Sequence, residues 1–356
     1  MKKFITHYYA QILIVFLWLA LVLTNYRLGY TLTGWDNLHP EINPWLDISR
    51  SLQAVWQEYQ GLGLLAGMAH GSDLVRQVVV LFLTAFLPRS LIRFSLVMTM
   101  LLVGVFGVRR LFFYIFARRQ SLALVQTGAN VAAIFYLLNL GTVQNFYVAF
   151  EPYYCFFATL PWLLYVLWRA WQSGQISWWA KFLLLSFLAS PAYYIQTNYL
   201  VYAFVLAAWG GVYFIQVYRQ QHPHSRRQAV INLLLTAGCS VTANLFWLLP
   251  QAYFVLTGGT ALTMNSQINR IATPEVTIAN QVYANPLDIL LLRGYWWHNL
   301  DYQPNTDSYE YSLQAWVDYP PTMFLAAFFA LGCLAGIYYC WTQHRHQRAS
   351  QKEFGR

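Results

Sequence analysis

Eight apolar runs, each about 20 residues long, constrain this chain more than any other feature: residues 8–26, 91–108, 123–141, 152–171, 178–196, 198–217, 229–256 and 320–342. The hydrocarbon core of a bilayer is about 30 Å thick and a helix rises about 1.5 Å per residue, so about 20 apolar residues cross it once. With no water to satisfy the backbone there, runs of this length are read as helices. The chain therefore reads as an all-α polytopic membrane protein with about eight transmembrane helices. Composition agrees: 10% of the 356 residues are charged and 58% hydrophobic, against about 25% charged in soluble domains. Residues 1–342 form the transmembrane domain and 343–356 a polar cytoplasmic tail.

One stretch tests the topology. Asp73 to Leu87 contains a mostly apolar run of only ten residues, Val78 to Leu87, which covers roughly 15 Å as a helix. It is expected to lie along the interface and to end at Pro88. With the N-terminus inside, 15 of the 22 Lys and Arg then fall on the inner side; a crossing there would leave 6. The positive-inside rule selects the first arrangement, with both termini cytoplasmic in a plasma (inner) membrane. Of the 13 acids only Glu353 is then inside. The rest lie in outer segments 27–90, 142–151 and 257–319, the second expected as a short turn. The first and last are long enough to be functional rather than connecting.

The net charge of +9 is spread between apolar runs, which fits topology and not a nucleic-acid surface. Met1-Lys2-Lys3 and the apolar run behind it look like a retained signal anchor, too long for a cleaved signal. Cys155, Cys239, Cys333 and Cys340 lie in apolar runs without ligand spacing and are expected as buried thiols, with no metal. Ser190-Pro191 is expected to kink the fifth crossing; Asn244, Trp247 and Pro250 are expected to interrupt the seventh, through interhelix bonding or by lining a lipid-substrate groove. The tail ends 14 residues after the last crossing, so any chemistry is expected in the membrane body and its outer loops.

Within the first outer segment, Gly34-Trp35-Asp36-Asn37-Leu38-His39-Pro40-Glu41 places three titratable residues within six positions. Asp36 is either a catalytic base or a turn residue satisfying nearby backbone groups. His39 and Glu41 are candidates to join it around a divalent cation or to hold an acceptor hydroxyl; hydrogen bonding within the loop is the other reading. Arg93, with Arg89, Arg293 and His298 as rivals, is the candidate partner for an anionic leaving group, or an anchor at the interface. Tyr295, Trp296 and Trp297 are suited to stacking on a sugar or to lying at the membrane surface. Glu151-Pro152 reads as a helix start or as a second acid.

The layout resembles the GT-C superfamily of glycosyltransferases. The parts that match are Asp36 early in the first outer segment, the helix-like stretches Ile48 to Gln60 and Asp73 to Leu87, and the second crossing closing with Arg109-Arg110. Gly34-Trp35-Asp36, Trp56, Gly61-Leu62-Gly63, Phe86-Leu87-Pro88, the stretch Leu140 to Trp162 and the run Asn244 to Pro250 are similar to the membrane region of alpha-(1→3)-arabinofuranosyltransferases. Those enzymes are longer and carry carbohydrate-binding modules, which this sequence lacks. The resemblance implies a transferase of cell-envelope biogenesis that moves a sugar from a polyprenyl phosphate to an extracytoplasmic glycan or lipid-linked acceptor. Asp36 would be its general base, since an inverting transfer with a phosphate leaving group needs one carboxylate. A non-catalytic lipid-linked-sugar transporter or envelope-assembly subunit is the alternative.

Overall fold

A computed structural model describes residues 2–33, 39–53, 56–57, 64–65, 69–117, 120–147, 149–219, 223–259, 274–275, 278, 281, 285–294, 297, 300–303, 305–311, 313, 316 and 319–353. Each expected crossing coincides with helix: α1 Lys2–Asn25, α4 Arg89–Phe116, α5 Leu122–Leu138, α7 Glu151–Ser173, α8 Ile176–Leu188, α9 Gln196–Arg219, α10 Pro223–Phe254 and α12 Pro320–Glu353. Shorter helices are α2 Pro44–Leu52, α3 Ala69–Leu83, α6 Leu140–Tyr147 and α11 Pro286–Leu290. Among the described residues strand is confined to two small antiparallel pairs, β1 Trp56–Gln57 with β2 Leu64–Leu65 and β3 Leu300–Gln303 with β4 Ser308–Tyr311. Among the described residues three helices are long and apolar enough to cross a membrane, Arg89–Phe116, Gln196–Arg219 and Ser225–Thr257, and a fourth if Leu122–Leu138 and Leu140–Tyr147 form one broken span. The chain is a mostly helical membrane protein.

The chain divides into two compact units, residues 1–136 with 148–269, and residues 137–147 with 270–356. In the first, side-chain contacts fix the helix directions. Arg93 meets Glu151, Gly104 meets Phe157, Gly107 meets Trp162, and Tyr114 meets Gln172, so α4 and α7 run parallel. The remaining helices alternate around them. Tyr26 lies against Phe94 and Trp18 donates to the Met98 carbonyl, so α1 runs against α4. Asn130 bonds Arg109 and Tyr136 bonds Phe157, so α5 does too. α8 returns from Trp178 beside Tyr165 to the level of Ser190, whose hydroxyl donates to the Ser72 carbonyl. α9 carries Tyr213 back to stack on Trp171, and α10 returns again, from Asn232 beside Tyr213 to Trp247 beside Tyr199.

Small residues let α4 and α7 approach. A Cβ at Gly104 would sit 2.5 Å from the Phe157 ring and 2.7 Å from its carbonyl oxygen, the close backbone contact that drives helix association in lipid. Pro161 lies inside α7. It has no N–H for the carbonyl of Phe157 four residues earlier, and an orphan carbonyl is costly where water is absent. The Tyr136 hydroxyl of α5 supplies that bond at 2.9 Å.

Several local expectations change. The helix expected over Ile48 to Gln60 lies at Pro44–Leu52 instead, because the Asn43 side chain accepts from the Leu46 N–H and Pro44 occupies the first turn. Trp56 and Gln57 belong to the β1–β2 pair. Ser190-Pro191 ends the helix of the expected fifth crossing rather than kinking it: α8 stops at Leu188 and a 3-10 turn, Ser190–Tyr193, follows. Asn244, Trp247 and Pro250 do not interrupt α10, which runs to Phe254 before a π turn over Val255–Gly259. The Asn244 amide donates to the Ser240 carbonyl and accepts from the Trp247 indole, so these polar groups are satisfied within one helix, and Trp247 is buried against Tyr193 and Tyr199. Residues 140–147 are helical instead of a turn, with Asn139 capping through the Thr142 N–H. Cys155 is buried as expected but Cys333 is exposed.

Helix α3 has the reverse of the usual polarity. Ser72, Asp73, Arg76 and Gln77 are buried, while Val78, Val79 and Phe82 are exposed, Phe82 by 65%. An apolar face turned outward and a charged face turned inward is the arrangement lipid favours and water penalises.

The Pro161 account predicts that Tyr136→Phe, which removes the bond to the Phe157 carbonyl, lowers stability by about 1–3 kcal/mol, read as thermal unfolding in detergent. Adding Pro161→Ala restores a backbone N–H and recovers most of the loss. A Tyr136→Phe protein as stable as the wild type overturns it.

Candidate functional site

The charged face of α3 meets the first turns of α4 and α7 and the segment just before α2. Each supplies a polar group for local reasons. Glu151 opens α7 with Pro152 beside it, a favourable place for a carboxylate at a helix N-terminus. Asp73, Arg76 and Gln77 are three and four residues apart and so share a face of α3. Arg93 is one turn into α4, and its side chain turns inward to 2% exposure.

Together they form a continuous buried chain. His39 Nδ1 lies 3.2 Å from Glu41 Oε1, and Arg93 Nε donates to the same oxygen at 2.9 Å. Arg93 Nη1 is 2.5 Å from Glu151 Oε1, and Arg76 Nη1 is 3.7 Å from that atom. Arg76 grips Asp73 with two bonds, 2.7 Å and 2.6 Å. The Gln77 amide donates to Asp73 at 3.2 Å and accepts from the Ser51 hydroxyl at 2.5 Å. Tyr154, one turn beyond Glu151, is buried with its hydroxyl unpartnered among the described residues.

The electrostatics follow from burial and alternation of sign. Desolvation pushes the Glu41 carboxyl up, but the hydrogen bond and charge of Arg93, with help from the backbone and His39, hold it below the ordinary carboxylate value. Burial alone would lower Arg76, and the Asp73 and Glu151 carboxylates raise it well above its usual range. Asp47 of α2 is raised, chiefly by burial, with Arg50 and Arg76 opposing. An ionised Glu41 can only accept, so His39 must carry a proton on Nδ1, and its ring, 25% exposed, is oriented by the contact.

The residues singled out in the sequence divide clearly. His39, Glu41, Arg93 and Glu151 are brought together. Arg93 is held between two carboxylates, which leaves it a structural clamp instead of the expected partner of a leaving phosphate. Asp36, Trp296 and His298 lie outside the described residues. In the second unit Arg293 donates to Asp288 at 2.5 Å, just after Leu292, whose φ of 57° closes α11 in the left-handed conformation. Trp297 is wholly buried with Leu140, Leu291, Leu313, Ala326 and Ala330, leaving no ring face for the expected sugar stacking. Arg89 is exposed. Among the described residues no cluster of three or more His, Cys, Asp or Glu is arranged to hold a metal ion. Asp73, Arg76 and Gln77 were not singled out, although three polar residues at helical spacing ahead of an apolar run were the available signal.

A second feature lies beside this chain of ion pairs. A cleft of about 260 Å³ is lined by Asn25, Tyr26, Arg27, Tyr30, Thr31, Leu32 and Thr33 and, from α4, Ser90 and Phe94. Arg27 is exposed and makes no ion pair among the described residues. No protein family, curated protein or solved structure matches the chain.

Removing one partner of a buried pair strands the others. Arg93→Met is expected to cost about 3–5 kcal/mol, and adding Glu41→Gln to regain part of it, measured by unfolding in detergent. The depressed Glu41 group contributes stability above its ordinary value of 4.5 and loses it as pH falls through the lower folded value. In an Asp47→Asn background, which removes the opposing group, stability should decline below about pH 4.5, and Glu41→Gln should flatten that decline.

Proposed function

We propose that this chain is a GT-C-type glycosyltransferase of eight crossings, both termini cytoplasmic, in the plasma (inner) membrane. It transfers a sugar from a polyprenyl phosphate to a cell-envelope glycan or lipid-linked acceptor outside. Asp36 takes the proton from the acceptor hydroxyl as its oxygen attacks the anomeric carbon; the bond from that carbon to the phosphate breaks, and polyprenyl phosphate leaves as an anion.

The observation that carries this reading is the anchoring on both sides of Asp36 in the sequence. Three residues before it, Thr33 closes a cleft with Arg27, Ser90 and Phe94. Three residues after it, His39 begins the chain of ion pairs that continues through Glu41 to Arg93. Both anchors use the first turns of α4, so Thr33 and His39, the described residues that flank Asp36 in the sequence, both lie at one end of the bundle. Arg27 takes the role first assigned to Arg93, because its guanidinium is exposed and Arg93 is already neutralised. His39, with Nδ1 turned to Glu41, offers its other nitrogen to an acceptor hydroxyl.

The transporter alternative expects ionisable groups at membrane depth. Neither α4 between Arg93 and Arg109 nor α7 between Glu151 and Arg169 carries an Asp, Glu, Lys, Arg or His, which favours chemistry at the surface. An assembly subunit would bind the donor without turning it over.

The test follows release of polyprenyl phosphate from a polyprenyl-phosphate sugar by the protein in liposomes, with envelope glycans as acceptor. Asp36→Asn should lower the rate by about 10²–10⁴-fold with donor binding retained, and Arg27→Gln should weaken donor binding about tenfold. A folded Asp36→Asn protein with normal turnover overturns the mechanism. Donor binding without release in the wild type selects the subunit.

A further inference from the structure

The opposite end of α4 and α7 gathers cations that make no ion pair among the described residues. Arg110 is exposed at the end of α4, Arg169 is half-buried near the end of α7, and Lys181 is exposed on α8. They are held over three touching rings. The Arg110 guanidinium lies 5.4 Å from the Tyr165 ring centre. That of Arg169 lies 4.9 Å from Tyr114 and 4.5 Å from Trp178, and the Lys181 ammonium lies 4.2 Å from Trp178. Tyr165 contacts both other rings edge-on, at 5.4 and 6.2 Å.

Two facts leave this charge open to a partner from outside these helices. No Asp or Glu occurs between Asp73 and Glu151 or between Glu151 and Glu275, so α4, α5, α7, α8, α9 and α10 bring no carboxylate here. A guanidinium on a ring face also keeps its N–H edge open, the edge that binds phosphate oxygens in pairs.

Position decides what kind of anion fits. From Arg93 to Arg110 α4 rises about 25 Å, close to the thickness of a hydrocarbon core, with no charge between Arg93 and Arg109. Trp162, Tyr165 and Trp178 thus lie at the level where aromatic side chains mark a membrane surface. Beside Lys181, toward the middle of the bundle, α8 exposes Leu184 and Leu188 at three and seven residues, one helix face on which an acyl chain can lie.

We propose that Arg110, Arg169 and Lys181, on their Tyr114, Tyr165 and Trp178 platform, form a binding site for the phosphodiester headgroup of an anionic glycerophospholipid. The acyl chains run along Leu184 and Leu188. The site is independent of glycosyl transfer, and lies at the other end of the bundle from the Arg27 cleft.

The experiment uses the full chain in detergent, titrated with phosphatidylglycerol, phosphatidylcholine or soluble glycerol phosphate, with bound lipid read by native mass spectrometry and stability by thermal unfolding. Saturable binding of phosphatidylglycerol, at least tenfold tighter than phosphatidylcholine, is expected. Arg110→Gln/Lys181→Gln, altering two exposed side chains, should lose tenfold or more of that affinity, while Arg110→Lys/Lys181→Arg should keep it. Equal affinity in the neutralised and wild-type proteins overturns the site. Glycerol phosphate binding as tightly as the lipid overturns the lipid assignment.

Discussion

Charge buried without water must be neutralised where it stands, and the chain from Glu41 through Arg93, Glu151 and Arg76 to Asp73 meets that condition by alternating sign. An isolated ion in a low-dielectric interior costs several kcal/mol even after relaxation. Each guanidinium here sits between carboxylates. The arrangement requires α4 and α7 to begin near the same level, because Arg93, one turn into α4, meets Glu151, the first residue of α7. Their parallel course, with Gly104 against Phe157 and Gly107 against Trp162, follows from a start fixed by ion pairing and is kept by close packing.

The same chain turns the polarity of α3 inside out. With Asp73, Arg76 and Gln77 committed inward, the outward face is left to Val78, Val79 and Phe82. A soluble protein would have to hide those residues, whereas lipid accepts them. Pro161 and Tyr136 express the same solvent in backbone terms, since a carbonyl freed by proline must find a donor within the protein when water cannot reach it.

The helices were legible in the sequence because length and apolarity are local properties. Helix ends were less so: Pro44 and Asn43 moved α2, and Ser190-Pro191 turned a kink into a break, each through cap or turn chemistry that hydropathy does not register. At the candidate site His39, Glu41 and Arg93 were recognisable as charges in an apolar chain, but their partners were not. Glu41 and Arg93 are 52 residues apart, and nothing local says that an arginine at a helix start turns inward. Asp73, Arg76 and Gln77 were obscured by the apolar run behind them, which describes the outer face of α3 and conceals the inner one. Trp297 shows the converse error: its neighbours in sequence suggested a surface cluster, yet one ring of that run fills the core of the second unit.

The two ends of the first unit solve the problem of charge in opposite ways. At the Arg93 end carboxylates and guanidiniums from four segments neutralise one another, so the nearby Arg27 is the exposed cation of that cleft. At the Arg110 end the chain supplies rings instead of acids, and a ring holds a cation in place without cancelling its charge. Self-neutralised charge favours a fixed scaffold, because any movement strands an ion. Uncancelled charge favours contact with an anionic surface. That asymmetry is what the positive-inside rule expresses as a count of residues; here it has a structural form, rigid ion pairing at one end of α4 and α7 and an open cationic platform at the other.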